Sequence, residues 1–330
     1  MKKTKRVVSF FLVLCLIMTA MPEIKASATE IVFSGGSGTE SDPYVLAGAS
    51  DFIQLSNKVA EGEGYDGKYF TISDQVTEPI ELSTENGFSP IGKKGHVFYG
   101  SLDGNGKAID LNLNLPEQSD VGLLGYCSGR YIKNLTVTGS VKGCSYVGGI
   151  AGQARMNIMN CHNKATVSAT KECVGGIVGF FNNDGVINCT NSGQVEGPSQ
   201  VGGIVGNLVN AYVTNCLNNG DVTGKGNTSD GTHVGGIVGR GVSGSIKNCV
   251  NNAAVKQEAG SGYRVGGIAG SKDVDDSRML TVTGCFYNVT KNSDVQDFGH
   301  NIEYYTEAIS GTACAKETTE LESAETLETL

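Results

Sequence analysis

Cysteine offers the most chemistry in this sequence, because five of its ten cysteines recur at one position of an internal repeat. They are Cys161, Cys189, Cys216, Cys249 and Cys285. Regularly spaced thiols can form disulfides, bind zinc or pack as small apolar side chains. The spacings are those of the repeat and include no CxxC pair, which disfavours zinc. We expect a buried column of thiols, and any disulfide is expected to involve the remaining cysteines, Cys127, Cys144, Cys173 and Cys314.

Histidines and carboxylates form no recognisable catalytic set. None of the four histidines is followed by glutamate, so the HExxH motif of zinc peptidases is absent. They are His96, His162, His233 and His300. Asp273, Asp275 and Asp276 form a cluster that could bind calcium or be a solvated turn, and the turn is favoured. No column of acidic residues recurs along the repeat. We therefore expect no catalytic residue, no cofactor and no metal site.

A glycine-rich phrase, VGGIxG, is the element that must position these groups. Full copies lie at Val147–Gly152, Val174–Gly179, Val201–Gly206, Val234–Gly239 and Val265–Gly270, with a shorter form at Val121–Gly125. Their first valines are 26, 27, 27, 33 and 31 residues apart. A period near 27 with tolerated insertions is typical of stacked structural units.

A second phrase, approximately I-x-N-C-x-N-x-G-x-V, follows each glycine phrase. In an early copy, Ile132–Val141, Leu135 replaces the cysteine, which indicates that this position faces the core. The two asparagine positions predict two columns, Asn160, Asn188, Asn215 and Asn248, and Asn163, Asn191, Asn218 and Asn251. Stacked amides can hold neighbouring units in register. An amide row that faced outward could instead bind carbohydrate.

These patterns predict an all-β fold, a right-handed parallel β-helix (solenoid) with an N-terminal capping segment that includes a short helix. Valine, isoleucine and threonine favour extended backbone, and glycine and asparagine tolerate the bends. A propeller or an antiparallel sandwich would need more strands and hairpins than 27 residues hold. We predict that Ser50 is the N-cap of the helix and that Phe52, Leu55 and Val59 share one face. The helix would cover the open edge of the first coil.

The N-terminus predicts secretion, because basic residues precede an apolar run at 7–18 and a small-residue site at Ala26–Ala28. The run is too short to span a bilayer, and no later segment could do so after cleavage. The predicted organisation is a signal peptide at 1–28, a leader and cap at 29–118, repeats at 119–295 and an acidic tail at 296–330. The expected location is extracellular, either free or associated with the cell surface.

Charge excludes one class of partner. The whole chain has a formal charge of −9, and removal of residues 1–28, with five basic residues and one acidic residue, leaves −13. Such a surface repels phosphate backbones, so we expect no nucleic-acid partner.

The two phrases resemble the GLUG-motif repeats of bacterial secreted and surface proteins, which occur in adhesin-like proteins and beside immunoglobulin A1 protease-type metallopeptidases. Gly38–Glu40, Asp42–Tyr44, Ser89–Gly92 and Phe98–Gly106 are similar to the leader that usually precedes such repeats. The resemblance implies a β-helix and does not imply an active site. Because the HExxH motif of the metallopeptidases is missing, it implies the accessory module without the enzyme.

The resulting hypothesis is a non-enzymatic, secreted or surface-associated repeat module, adhesin-like or a structural scaffold, whose partners are host or bacterial surface glycans or proteins. Insertions near 224–233 and 257–264 could project as contact loops, with Tyr263 and Arg264 as the best candidates, or be neutral length variation. One alternative is a carbohydrate-active β-helix enzyme (lyase or hydrolase), which needs two carboxylates about 5–10 Å apart in a groove. Another is the accessory repeat region of a larger secreted protease or adhesin.

Overall fold

A computed structural model describes residues 33–226, 232–258, 264–272, 280–288, 290–293, 296–298 and 313–316. The predicted signal peptide, the aspartate cluster at 273–276, Tyr263 and most of the acidic tail lie outside the described residues.

The described residues form a parallel β-solenoid of about 8 turns, so the predicted fold class is confirmed. Equivalent residues of successive repeats lie in register, as Val147 with Val174 and Val174 with Val201 show. The same register continues through Val234 to Val265. Inside the stack, each strand therefore pairs through its backbone with the coil before it and the coil after it.

Two sheets run along the stack, and strands are numbered in chain order across both. The 19-stranded sheet contains β1 (Tyr44–Leu46), β2 (Tyr69–Ile72), β3 (Ile80–Ser83), β4 (Ser101–Asn114), β6 (Tyr131–Gly143), β9 (Asn157–Asn163), β10 (Thr166–Ala169), β13 (Gly185–Ile187), β14 (Thr190–Asn191), β15 (Val195–Gly197), β18 (Ala211–Thr214), β19 (Leu217–Asn218), β20 (Val222–Gly224), β23 (Gly244–Lys247), β24 (Val250–Asn251), β25 (Val255–Gln257), β27 (Leu280–Thr283), β28 (Cys285–Asn288) and β30 (Ala313–Lys316). The 11-stranded sheet contains β5 (Leu124–Cys127), β7 (Val147–Gly148), β8 (Ala151–Ala154), β11 (Glu172–Gly175), β12 (Val178–Asn182), β16 (Ser199–Gly202), β17 (Val205–Val209), β21 (His233–Gly235), β22 (Val238–Gly241), β26 (Arg264–Lys272) and β29 (Gln296–Phe298).

Parallel pairing extends on both sides of the recognisable repeats. In the leader, β1 pairs with β2, β2 with β4, and β4 with β6. Towards the C-terminus, β29 pairs with β26 and β30 pairs with β28. Segments that lack the glycine phrase thus continue the same stack.

The one helix among the described residues is α1 (Ala49–Glu61), and it packs through the predicted face, on which Phe52, Leu55 and Val59 are fully buried. The prediction of Ser50 as its N-cap is wrong, because the N-cap residue is Gly48. Asp51 in the first turn fixes this end of the helix, since its carboxylate accepts hydrogen bonds of 2.7 Å from the Ala47 N–H and the Ser34 hydroxyl. A carboxylate in the first turn also interacts favourably with the helix dipole.

The glycines of the phrase lie where backbones of adjacent segments touch. A Cβ on Gly175 would lie 2.1 Å from the carbonyl oxygen of Val178. On Gly176 it would lie 2.3 Å from the carbonyl oxygen of Gly203 and 2.4 Å from Cγ of Asn191. No side chain larger than hydrogen fits at such distances, so close packing requires these glycines.

A buried amide ladder runs beside this contact. The Nδ2 atom of Asn163 donates to Oδ1 of Asn191 at 2.8 Å, and Asn191 donates to Asn218 at the same distance. Asn218 donates to Asn251 at 2.9 Å. All four side chains are fully buried, and each also donates to the carbonyl two residues further along its own chain. The ladder therefore links four coils through satisfied polar groups.

Candidate ligand-binding edge

The five repeat cysteines form the expected buried column of thiols. All are at most 1% exposed, and their sulfurs donate to nearby carbonyls, as Cys189 does to Ile187 at 3.3 Å. The eight cysteines whose side chains are described, including Cys127, Cys144 and Cys173, are free. Burial raises the pKa of the Cys161 and Cys216 thiols well above the usual value. Because all five side chains are shielded from solvent, this column is part of the core.

Two bends with left-handed backbone recur along the described coils, one filled by asparagine in five coils and the other left-handed in four. Asn134, Asn160, Asn188, Asn215 and Asn248 have φ between 51° and 56°. The Nδ2 atom of Asn188 donates to Asn160 at 3.3 Å, and Asn215 donates to Asn188 at 3.2 Å. This second amide ladder is at least partly exposed. Asparagine tolerates left-handed backbone better than most residues, so local sterics explain its recurrence here.

The second bend lies directly before the valine of the glycine phrase and holds a different residue in each coil. Asp120, Tyr146, Cys173 and Gln200 have φ between 54° and 62°. Left-handed backbone costs an L-residue roughly 1–2 kcal/mol. Aspartate also tolerates this conformation, but the conformation does not explain Tyr146, Cys173 and Gln200, where glycine or asparagine would lower the cost. Strained residues of this kind often cluster at functional sites.

A second column faces these residues, directly after the last glycine of the phrase. Its members lie in register from coil to coil and are Tyr126, Gln153, Phe180, Asn207, Arg240 and Ser271. The first column continues in register through His233 to Arg264. We call the two columns together the variable edge, because the phrase between them repeats while they do not.

Side chains of the two columns contact each other one coil apart. The Nε2 atom of Gln153 donates to Oδ1 of Asp120 at 2.5 Å. The rings of Tyr146 and Phe180 pack edge to face, with centroids 5.9 Å apart. His233 is hydrogen-bonded to Ser271. The edge is therefore preorganised by its own contacts.

Further along the edge, Gln200 links three polar groups. Its Oε1 accepts from Nδ2 of Asn207 at 2.6 Å and from the Cys173 thiol at 3.1 Å, and its Nε2 donates to Glu172 at 2.9 Å. Oδ1 of Asn207 is buried and has no hydrogen-bond partner. An unpaired buried acceptor is unfavourable, and a ligand donor or a water would satisfy it.

Burial sets the protonation of the ionisable groups at the edge. It raises the pKa of Asp120, against the hydrogen bonds from Gln153 and the Lys94 backbone. It also raises the pKa of Tyr146, and burial together with Glu172 raises that of the Cys173 thiol. Cys173 is thus protonated at neutral pH and is not an activated nucleophile. The edge offers hydrogen bonds and aromatic surface, which suit binding.

Of the two predicted contact residues, the structure describes Arg264. Arg264 is the first residue of β26, in register with His233, and its N–H donates to the carbonyl of Thr232 at 2.8 Å. It therefore lies at the C-terminal end of the variable edge. The other candidate, Tyr263, lies outside the described residues. Sequence reasoning missed the rest of the edge, although one signal was present: the residues that flank each phrase change while the phrase does not.

One pair of carboxylates also lines a groove, in the leader. Glu81 of β3 and Asp110 of β4 lie in register, and with Asn86, Asn112 and Asn114 they border an open groove of about 540 Å³. Glu81 is exposed, and Asp110 accepts hydrogen bonds from Asn112 and Thr138. The sequence alone did not predict this pair, because it lies in the leader, outside the repeats.

In the part of the chain that the structure describes, no group of three or more histidine, cysteine, aspartate or glutamate side chains could hold a metal ion. No helix there has the length and apolarity needed to cross a membrane.

Comparison with known proteins adds a family motif. The GLUG motif matches residues 143–168, which extend from the end of β6 into β10. This chain carries the GLUG motif. The matched segment of this GLUG-motif chain contains one glycine phrase and one buried asparagine, Asn163. The resemblance noted in the sequence is thereby confirmed.

Two curated relatives match about half of this GLUG-motif chain. Halomucin of Haloquadratum walsbyi is 31% identical over 159 residues, which are 46% of this chain and 2% of halomucin. The "Putative Gly-rich membrane protein" of Evansella cellulosilytica is 28% identical over 161 residues, 46% of this chain and 18% of that protein. The chain thus matches only a small part of the length of either relative.

A solved structure shares the fold over most of the chain. It is that of a Bacteroides ovatus protein described as a "putative immunoglobulin A1 protease", with a TM-score of 0.63, 21% identity and 90% coverage of each chain. At this identity the similarity shows a common fold and nothing about activity.

Proposed function

We propose that this chain is a non-enzymatic, surface-associated module that binds glycans or proteins of neighbouring cells along the variable edge, in the manner of an adhesin. The GLUG motif and relatives named as a halomucin and a membrane protein support the surface assignment. Because the chain matches only small parts of these relatives, it is also compatible with a role as one region of a larger surface protein.

The observation that carries the proposal is the difference between the two left-handed bends. The bend that only turns the chain holds asparagine in five coils and Gly284 in the next, whereas the bend at the variable edge holds Asp120, Tyr146, Cys173 and Gln200. Tyr146, Cys173 and Gln200 are kept in this conformation at an energetic cost. Asp120, Cys173 and Gln200 are themselves buried, so a partner would contact the partly exposed side chains beside them, Gln153, Phe180 and Arg240.

A ligand array with matched variants tests the proposal. The purified secreted protein is applied to immobilised glycans, matrix proteins and intact cells, together with the triple variant Gln153→Ala, Phe180→Ala, Arg240→Ala. The control triple variant, Lys164→Ala, Thr166→Ala, Asn219→Ala, removes the same charge from exposed positions away from the edge. We expect the first variant to lose binding by at least about tenfold. Failure of the wild type to bind anything contradicts the proposal, and equal binding by all three proteins excludes the edge as the binding site.

A carbohydrate-active enzyme is the second candidate, because Glu81 and Asp110 lie in register beside a groove. Paired carboxylates are the usual catalytic groups of glycosidases, although the acid normally lies in a desolvated environment and Glu81 is exposed. Release of reducing ends or unsaturated products from a panel of polysaccharides would support this candidate. Such activity should then disappear in both Glu81→Gln and Asp110→Asn.

A further inference from the structure

Tyr212 presents an aromatic ring on the other sheet, away from the variable edge. Its side chain is 41% exposed, and of the large apolar side chains that the structure describes only Tyr99 is exposed to a similar extent. Tyr212 lies in β18 in register with Gly185 of β13. A Cβ on Gly185 would lie 2.3 Å from Cε2 and 2.5 Å from Cζ of the ring. The ring therefore lies across the backbone of the preceding coil, in space that only glycine leaves open.

The amide of Asn157, in the coil that precedes Gly185, contacts this ring. Oδ1 of Asn157 accepts from the Gly185 N–H at 3.3 Å and from the Tyr212 hydroxyl at 3.5 Å. One part of the ring is thus supported by Gly185 and Asn157, and the remainder faces solvent. An exposed aromatic side chain fixed in one orientation loses little conformational entropy when a ligand stacks on it.

The surface continues from Tyr212 through the three preceding coils. Tyr131 is in register with Asn157, and Met159 is in register with Ile187. The side chains of Met159 and Ile187 are only partly buried, although both are apolar. We call Tyr131, Asn157, Gly185, Tyr212, Met159 and Ile187 the tyrosine platform. From Tyr131 to Tyr212 it extends over three coil spacings, roughly 14 Å.

We propose that the tyrosine platform binds a neutral polysaccharide, laid along the solenoid axis. A pyranose ring presents apolar C–H groups on its face and hydroxyl groups at its rim. The Tyr212 ring and the Met159 and Ile187 side chains match the face, and the Asn157 amide matches the rim. An acidic chain disfavours polyanionic glycans. A folded protein partner would need a contact of about 800 Å² per side, far more than these few side chains provide.

This inference goes beyond the proposed function, because it uses a different sheet and names a ligand class. The test measures affinity of the full secreted protein for the hexasaccharides of cellulose, xylan, mannan and chitin by calorimetry, with saturation-transfer NMR to identify the ring that stacks. We expect one or more to bind, Tyr212→Ala to weaken that binding at least about tenfold, and Tyr212→Phe to stay within about threefold of the wild type. The control Tyr99→Ala removes the other exposed tyrosine and should bind normally.

Two results would overturn the inference: no hexasaccharide binding at about 5 mM, or unchanged affinity in Tyr212→Ala. Because Gly185→Ala displaces the ring while keeping it in the protein, it should also weaken binding, and its circular dichroism reports whether the coil still folds. The triple variant of the variable edge separates the two proposals. If the platform acts alone, that variant binds the hexasaccharide like the wild type, whatever the outcome of the ligand array.

Discussion

Tyr146 and Asn160 lie at two bends of neighbouring chain segments and have nearly the same left-handed backbone, with φ of 56° and 51°. Asparagine is common in this conformation, whereas a bulky aromatic residue is uncommon there. Two bends with the same geometric requirement have thus accepted very different residues. This difference motivates the proposal that the Tyr146 position is kept for binding rather than for the fold.

Replacement of Tyr146 by asparagine tests this distinction. Tyr146→Asn relieves the left-handed strain but removes the edge-to-face contact with Phe180, which is worth about 0.5–1.5 kcal/mol. We expect the free energy of unfolding in urea to change by less than about 1 kcal/mol, while binding in the ligand array falls. A loss of stability well above this value would show that Tyr146 is needed for the fold.

The buried amide ladder should be far more sensitive than the outer one. Asn191→Ala removes hydrogen bonds to Asn163 and Asn218 inside the core, so we expect a loss of about 2–4 kcal/mol. The control is Asn188→Gly, which keeps the left-handed bend and removes only exposed hydrogen bonds, at under about 1 kcal/mol. Chemical denaturation of both variants gives the comparison, and equal losses would argue against a structural role for the inner ladder.

The glycine phrase provides a steric prediction. Gly176→Ala places a methyl group against the Gly203 carbonyl and Asn191, so we expect a loss of about 3 kcal/mol or more, or failure to fold. Gly35→Ala is the matched control, because its Cβ would meet only ordinary contacts of 3.5 Å, and a change within about 0.5 kcal/mol is expected. A thermally stable Gly176→Ala protein would contradict the close backbone packing.

Much of the fold was predictable because the repeated phrases in the sequence correspond to stacked units in the structure. The recurring phrase predicted the stack, and Leu135 at a cysteine position predicted that the thiols face inward. The N-cap was missed because Ser50 satisfies the usual preference, whereas the actual polar contact comes from Asp51 to residues preceding the helix. The variable edge and the Glu81–Asp110 pair do not repeat as residue types, and only the register between coils brings their members together.

The thiol column predicts slow chemical modification. The repeat cysteines are buried and hydrogen-bonded as thiols, so iodoacetamide should leave Cys189 and its four equivalents unmodified in the native protein and label them rapidly in urea. Peptide mass spectrometry assigns each label to its site. Rapid native labelling of Cys189 would show that the coils open locally or that the column is accessible.

Two aspartates predict opposite effects of charge removal. Burial raises the pKa of Asp120 in the folded protein. As the pH rises above the ordinary pKa of a carboxyl group, the ionisation of Asp120 therefore lowers the stability of the fold. Burial also acts on Asp103, but hydrogen bonds from Asn105, Asn134 and Lys133 outweigh it and lower the pKa, so ionisation stabilises the fold. At pH 7, Asp120→Asn should raise the free energy of unfolding and Asp103→Asn should lower it.

The check is a series of urea titrations at decreasing pH. As each carboxyl becomes protonated in the wild type, both differences from the variants should shrink towards zero. A stability difference for Asp120→Asn that grows on acidification would have the wrong sign and would contradict the assignment.

Because backbone pairing joins each coil only to the coil before it and the coil after it, the solenoid is modular. Duplication or deletion of one segment of about 27 residues lengthens or shortens the molecule by a single step of roughly 4.8 Å and leaves the remaining contacts intact. Each such event also adds or removes one pair of side chains at the variable edge. Duplication of a coil followed by substitution of two residues would therefore change the surface of the variable edge, while the core keeps its structure.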